Sequence, residues 1–506
     1  MPKTRRNNRL ALYAVLNIAF LVAMAIAYGI GAAQNPRLLY LFLMFALCST
    51  PVIDLDGLNG RYSLLGIFLA MYFVMYGLGD FSALIGGPPT EKSTALLSDT
   101  EAVILVGGVL VTLLYRWVVS ITGTGVRRTP RDWSRSAILL MGILFWVVGT
   151  YSIYEWNVHI VTDTTNEAFR KGIQSHGSYE ISAYILGQMM QPLGVLLIAY
   201  AWRTSRSAAL LWLVLAIVVL QVVLGFIIDQ KGLAMMGGTL VVVTCVLLEG
   251  RAPKLWLAGG LAYILLVYPV FVAARVEIHG TRGIARAAIL ENFGKILQIA
   301  IASTDRVATG PDRQMTFIER LSLRGSVETF VEKTGTDVPF ANGHTLTPLI
   351  ATFIPKVVWS DKPDVPTGQL FNKQFHVTES DDIFLSPSHL GELYWNFGWP
   401  GVFVGMTLIG AILGWVGGRF NLANGATITR LLVTAVTIKE LIVGFEGDIA
   451  SIYVVWLRSL AGIGLLHLIF ARAPITKRWF AAHSGADTGS QSPALVAVRA
   501  FPNLLT

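Results

Sequence analysis

The chain has 506 residues, 54% of them hydrophobic and 14% charged, with a mean hydropathy of +0.60 and a formal net charge of +8. That balance excludes an ordinary soluble globule and belongs to a chain that crosses a membrane many times. It also excludes nucleic acid as the partner behind the positive charge, because the basic residues sit in short loops between apolar runs, where they orient membrane proteins.

A helix needs about 20 mostly apolar residues to span hydrocarbon. Helices are the realistic choice for such runs, because lipid satisfies no backbone group. The basic stretch MPKTRRNNR precedes an apolar run too long for a signal-peptide core, so residues 10–33 read as a retained first span. Eleven more follow at 37–54, 62–84, 101–121, 136–155, 181–202, 207–228, 231–248, 255–274, 390–418, 428–447 and 449–471. The expected fold is therefore an all-α polytopic membrane protein of about twelve transmembrane helices. Lys and Arg gather in alternate loops, among them KTRRNNR, GVRRTPRDWSRS, GRAPK and ARAPITKRW, which places both termini in the cytoplasm.

The same alternation puts residues 275–389 outside as one large extracytoplasmic loop of nearly balanced charge. Within it, GIARAAILENFGKILQIAIAS is amphipathic and suits either the outer membrane interface or packing on the rest of the loop. The chain thus divides into 1–274 with nine spans, 275–389 outside, 390–472 with three spans, and a cytoplasmic tail, 473–506, read as disordered. No internal repeat and no broken helix is evident, and those are the marks a transporter would carry.

Metal and thiol chemistry find little support. There is no H-E-x-x-H, Cys/His cluster or calcium loop, and Asp381–Asp382 reads as a solvated acidic pair. Cys48 and Cys245 lie inside apolar spans. No metal and no cofactor is expected. What stands out is a supply of cations at the outer face: Lys231 opening span eight, Arg275 ending span nine, and Arg320, Arg324, Lys356 and Lys362 in the large loop. Singly, each would pair with a nearby carboxylate; as a set they suit an anionic headgroup, since Arg and Lys are natural phosphate partners.

The run SPSHLGELYWNFGWPG opens span ten. On one helix Glu392 and Asn396 share a face, and Trp395 and Trp399 share another suited to the interfacial aromatic belt. Glu392 reads either as a partly desolvated general base or as a helix N-terminal carboxylate. Deeper in the membrane, Lys439 and Glu440 in span eleven and Arg458 in span twelve interrupt apolar helices. Glu440 and Arg458 lie at similar depth, roughly 10–14 Å below the outer end at 1.5 Å per residue. They are expected to pair or to line a polar cleft.

In order, RLSL, GHTLTPLIATFIPKVVWSDKP, GQLF and SPSHLGELYWNFGWPG resemble the motif set of the Wzy-type oligosaccharide repeat-unit polymerases of O-antigen and exopolysaccharide synthesis. The likeness covers about residues 320–401. It places Arg320, Lys356, Lys362, Glu392 and Asn396 at motif positions; Lys356 stands where Arg is usual and Ser360 where Pro is common. The resemblance implies a metal-independent glycosyltransferase architecture akin to the GT-C and O-antigen-ligase-like membrane enzymes. It also implies donor and acceptor glycans on polyprenyl pyrophosphate, a bacterial inner-membrane location, and a flippase and chain-length regulator as pathway partners. On that reading Arg275, Arg320, Arg324, Lys356, Lys362 and Lys231 hold the pyrophosphate. Glu392, or failing that His344 or His389, takes the acceptor proton. An O-antigen-ligase-type transferase is the nearest rival, and a lipid-glycan flippase the rival of a different class.

Overall fold

The computed structural model describes residues 3–29, 37–53, 63–80, 97–123, 132–157, 178–228, 230–250, 253–262, 322–351, 367–378, 385–422 and 426–471, with isolated residues 270, 294, 298 and 359. Among these residues the regular structure is helical, and extended pairing is limited to isolated bridges such as Thr334–Val338. The helices are α1 (Lys3–Gly29), α2 (Leu38–Ser49), α3 (Leu64–Tyr76), α4 (Asp99–Thr122), α5 (Arg135–Glu155), α6 (Ser178–Ser205), α7 (Ala208–Ile228) and α8 (Lys231–Glu249). They continue with α9 (Lys254–Ala262), α10 (Arg324–Lys333), α11 (Thr347–Ala351), α12 (Thr367–Phe375), α13 (His389–Arg419), α14 (Ile428–Thr437) and α15 (Ile449–Phe470).

Seven of these, α4 to α8 with α13 and α15, are long and apolar enough to cross a membrane, and α1, α2 and α3 contain shorter apolar stretches. The chain is therefore a polytopic helical membrane protein. The amphipathic stretch at 283–303, Asp381–Asp382 and the tail from 473 lie outside the described residues.

Glycines set how the helices meet. A Cβ on Gly410 of α13 would stand 2.8 Å from the Val111 Cα of α4, and one on Gly414 would stand 2.8 Å from the Tyr115 carbonyl oxygen. Rising numbers meet rising numbers, so α4 and α13 run parallel. The small-xxx-small spacing lets their backbones touch, which is how helices associate where lipid supplies no hydrophobic drive. By the same test α5 and α6 are antiparallel: Gly142 meets Leu197 and Ile198, while Gly149 meets Gln191.

Two spans expected to be continuous are interrupted. In α13, Gly398 has φ 60° and ψ −142°, non-helical values that strongly favour glycine. The chain doubles back there. A Cβ on Gly401 would lie 3.1 Å from the Leu393 carbonyl carbon, and one on Gly405 would lie 2.8 Å from Leu393 Cγ. In a straight helix residues 393 and 405 would be about 18 Å apart along the axis. Residues 400–419 thus make a span about 30 Å long with Pro400 in its first turn. Residues 389–397 form a separate short helix folded against it.

The second break follows α14, where residues 438–442 make a π-turn and 443–446 a tight 3₁₀ turn. The absence of broken helices in the sequence reading is corrected here: a glycine two residues before a proline breaks one helix, and a π-turn breaks the other.

Above the bundle, α10, α12 and the 389–397 helix close around an aromatic cluster. Phe330 stacks on Phe371 at 4.2 Å and on Trp395 at 5.5 Å, with Phe375 edge-on to Trp395 at 5.4 Å. Trp395 is buried there instead of standing in an interfacial belt, and the break at Gly398 separates it from Trp399.

Candidate functional site

The break in α13 creates the site. Pro400 has no N–H, so the Asn396 carbonyl loses its helical donor; the reversal likewise frees the carbonyl of Trp395. Backbone N–H groups of the preceding loop take both: Ala341 donates to Trp395 O at 3.0 Å and Asn342 to Asn396 O at 3.1 Å. A segment far away in sequence is thereby strapped onto the end of the 389–397 helix. Buried carbonyls must find donors, and the strap provides them.

Side chains lock the strap. Gly343 N donates to Asn396 Oδ1 at 2.8 Å. Thr345 Oγ1 donates to Glu392 Oε1 at 2.6 Å and accepts from Asn396 Nδ2 at 2.7 Å, and that amide also donates to the Glu392 carbonyl at 2.8 Å. Glu392 Oε2 accepts from Ile449 N, the first residue of α15, at 2.7 Å. Asp448 caps the same helix end by accepting from Ser451 N at 2.8 Å. One carboxyl group thus joins the strap, the short helix and the N-terminus of α15.

The three expected proton acceptors have different surroundings. Glu392 has 0% exposure and both oxygens engaged. His389 also has 0% exposure; its ring lies edge-on to Phe445 at 4.7 Å, and neither nitrogen has a partner among the described residues. His344 is exposed, one residue from Thr345 and held in a short 3₁₀ turn. It is the one of the three whose ring faces outward.

Arg324, expected among the phosphate ligands, is buried in a four-charge cluster. Its Nη1 donates to Asp80 Oδ2 at 3.0 Å and to Glu101 Oε1 at 3.1 Å, and its guanidinium lies 5.3 Å from the Tyr40 ring centroid. Arg37 completes the cluster on Asp80 at 3.0 Å. Burial works to lower the Arg324 pKa, but Asp80, Tyr40 and Glu101 outweigh it and hold it above the ordinary arginine value. Two cations and two anions balance, so this cluster ties α10 to the residue before α2, to the segment just after α3 and to α4.

Lys231 begins α8. Arg275, Arg320, Lys356 and Lys362, with Ser360, lie outside the described residues. In the membrane, the ion pair expected between Glu440 and Arg458 is not formed. Glu440 pairs with its neighbour Lys439. Adjacent residues diverge on an α-helix, but these two occupy a π-turn, whose wider winding accompanies the contact. Among the described residues no group of three or more His, Cys, Asp or Glu side chains is placed to hold a metal ion.

Sequence reasoning passed over Thr345, Asp80, Glu101 and Arg37. Thr345 stood in a motif already singled out, GHT, whereas the acidic pair became visible only as charges at the ends of apolar runs. No protein-family model, curated protein or solved structure matches the chain.

Proposed function

We propose that the protein is an oligosaccharide repeat-unit polymerase, joining polyprenyl-pyrophosphate-linked glycans at the outer face of a bacterial cytoplasmic membrane. One observation carries this reading. The two motif blocks on which the resemblance rests, GHT and GELYWNFG, meet in one hydrogen-bonded node, Thr345 reaching Glu392 across 47 residues of sequence and Asn396 across 51.

In the reaction, an acceptor hydroxyl oxygen bonds to the donor's anomeric carbon. The bond from that carbon to the pyrophosphate oxygen breaks, its electron pair leaving with the pyrophosphate. The hydroxyl proton passes to a base. His344 is the base in this reading because its ring is exposed at the node, while Glu392, Thr345 and Asn396 position the loop that carries it. Arg275, Arg320, Lys356, Lys362 and Lys231 balance the charge growing on the leaving group. Arg324 instead anchors the outer segment through Asp80 and Glu101.

The test is purified protein in liposomes with a polyprenyl-pyrophosphate oligosaccharide and EDTA, read on a glycan gel. A ladder spaced by one repeat unit is expected. His344→Gln should lower turnover about 100-fold or more, the ordinary worth of a general base, with an unchanged unfolding midpoint. Product formed only when a different acceptor is added would identify a ligase instead.

A second reading, a lipid-glycan transporter, draws support from the interrupted helices at Gly398 and at residues 438–446. Lipid movement across the liposome membrane without glycan growth would favour it.

A further inference from the structure

Arg458 sits nine residues into α15, about 14 Å from its Ile449 end. Guanidinium is charged at any working pH and carries five N–H donors. Yet among the described residues Arg458 makes no hydrogen bond and no ion pair. The carboxylates on neighbouring elements are committed elsewhere: Glu440 to Lys439, Glu392 to Thr345 and Ile449, and Asp448 to Ser451.

The position of Arg458 on its helix says what faces it. Trp456 points the other way, donating from Nε1 to Thr437 of α14 at 3.1 Å. Arg458 is half-buried and shares its stripe with Ser451 and Leu465, both exposed, while Val454, one turn toward the Ile449 end, is buried. In an apolar span such a stripe faces lipid. One turn further on, a Cβ built on Gly462 would meet nothing within 4 Å, and Ala461 beside it is exposed. The helix therefore carries a shallow notch next to a partly buried cation. Cα–Cβ bonds tilt toward a helix N-terminus, so the side chain leans toward the Ile449 end, the direction in which a long cation snorkels to headgroups.

We propose that Arg458 holds the phosphate of an anionic membrane lipid, whose chain lies along the notch at Ala461 and Gly462. The planar N–H pairs of a guanidinium match phosphate geometry, and a charge at this depth needs a counter-charge. The site does not depend on the transfer reaction proposed above. The phosphate can come from a bulk phospholipid or from a polyprenyl pyrophosphate, and the experiment separates these sources.

The full-length protein would be purified in neutral detergent and incubated separately with phosphatidylglycerol, sugar-free polyprenyl pyrophosphate and phosphatidylcholine. Bound lipid would then be counted by native mass spectrometry. At least tenfold preference for one or both phosphate-anionic lipids over phosphatidylcholine is expected. That preference should fall about tenfold in Arg458→Gln and only partly in Arg458→Lys, which keeps the charge without the fork. Loss confined to one anionic lipid names the source. Equal retention of both lipids by wild type and Arg458→Gln would overturn the proposal. Should the Gln variant not fold, the unfolding midpoint of the wild type must rise with added anionic lipid, and rise less in Arg458→Lys; no rise in the wild type also overturns it. Because the readout is lipid retention, a failure of glycan polymerisation leaves this result intact.

Discussion

Replacing Arg324 by lysine separates the two roles that this arginine can have. Both ion-pair bonds leave a single nitrogen: Nη1 reaches Asp80 at 3.0 Å and Glu101 at 3.1 Å, while Nε has no partner among the described residues. One ammonium with three donors can make the same two bonds from one point. Arg324→Lys should therefore cost less than about 1 kcal/mol, against the usual rule that a bidentate arginine tolerates no lysine. Arg324→Met removes two charge-assisted bonds worth about 1.5–3 kcal/mol each. It leaves two buried carboxylates sharing Arg37. A loss of about 3–5 kcal/mol is expected, the usual cost of breaking a buried pair. Adding Asp80→Asn to Arg324→Met restores neutrality and should recover part of that loss. The assay is denaturant unfolding in mild detergent, with glycan transfer measured in parallel. A lysine variant as unstable as the methionine variant would refute the single-nitrogen argument. A stable lysine variant with greatly reduced transfer would show that Arg324 also grips substrate.

Three further outcomes follow from the geometry. Thr345→Val removes the hydroxyl between Glu392 and Asn396 and should cost about 1–3 kcal/mol, as for buried polar groups left without a partner, with faster amide exchange over residues 341–346 as the local readout; Thr345→Ser should restore both. Gly398→Ala forces a side chain into φ 60° and brings its Cβ within 3.2 Å of Phe340, so a loss of about 1–3 kcal/mol is expected in the unfolding midpoint. At the other end of the bundle, Asp132 accepts from Trp133 N at 2.9 Å and Ile428 N at 3.2 Å, with Tyr200 near its other oxygen and His467 close by. Burial raises its pKa despite these bonds. Its contribution to stability is thus full below the ordinary aspartate range and is lost as pH rises through the raised value. Asp132→Asn should stabilise the protein at neutral pH and flatten thermal scans from pH 4 upward; an unchanged pH profile would contradict this.

The helices were legible because hydropathy and helix length are local properties. Each of α4 to α8 and α15 lies within a few residues of its apolar run, and the run at 390–418 coincides with α13. What escaped was what geometry does to neighbours. Glu392 looked like a carboxylate at the mouth of a straight span because Gly398 and Pro400 were read as part of the helix. Taken as a break, they imply two freed carbonyls and hence a strap from elsewhere. The Lys439–Glu440 pair was hidden because α-helical spacing sends adjacent residues apart, and nothing in IKELI announces a π-turn. Arg324 finds its carboxylates 223 and 244 residues away, a pairing no local pattern encodes.

The strap also dictates an order of events when the chain is made. Residues 341 and 342 leave the ribosome well before Trp395 and Asn396, whose carbonyls they will satisfy. Until the two meet, the short helix has open acceptors at its end and is better left in water than pressed among the spans. The loop segment must then be folded before the last helices close around it. A folding defect in that segment would appear as misassembly of α13 and α15, helices whose own apolar spans are intact.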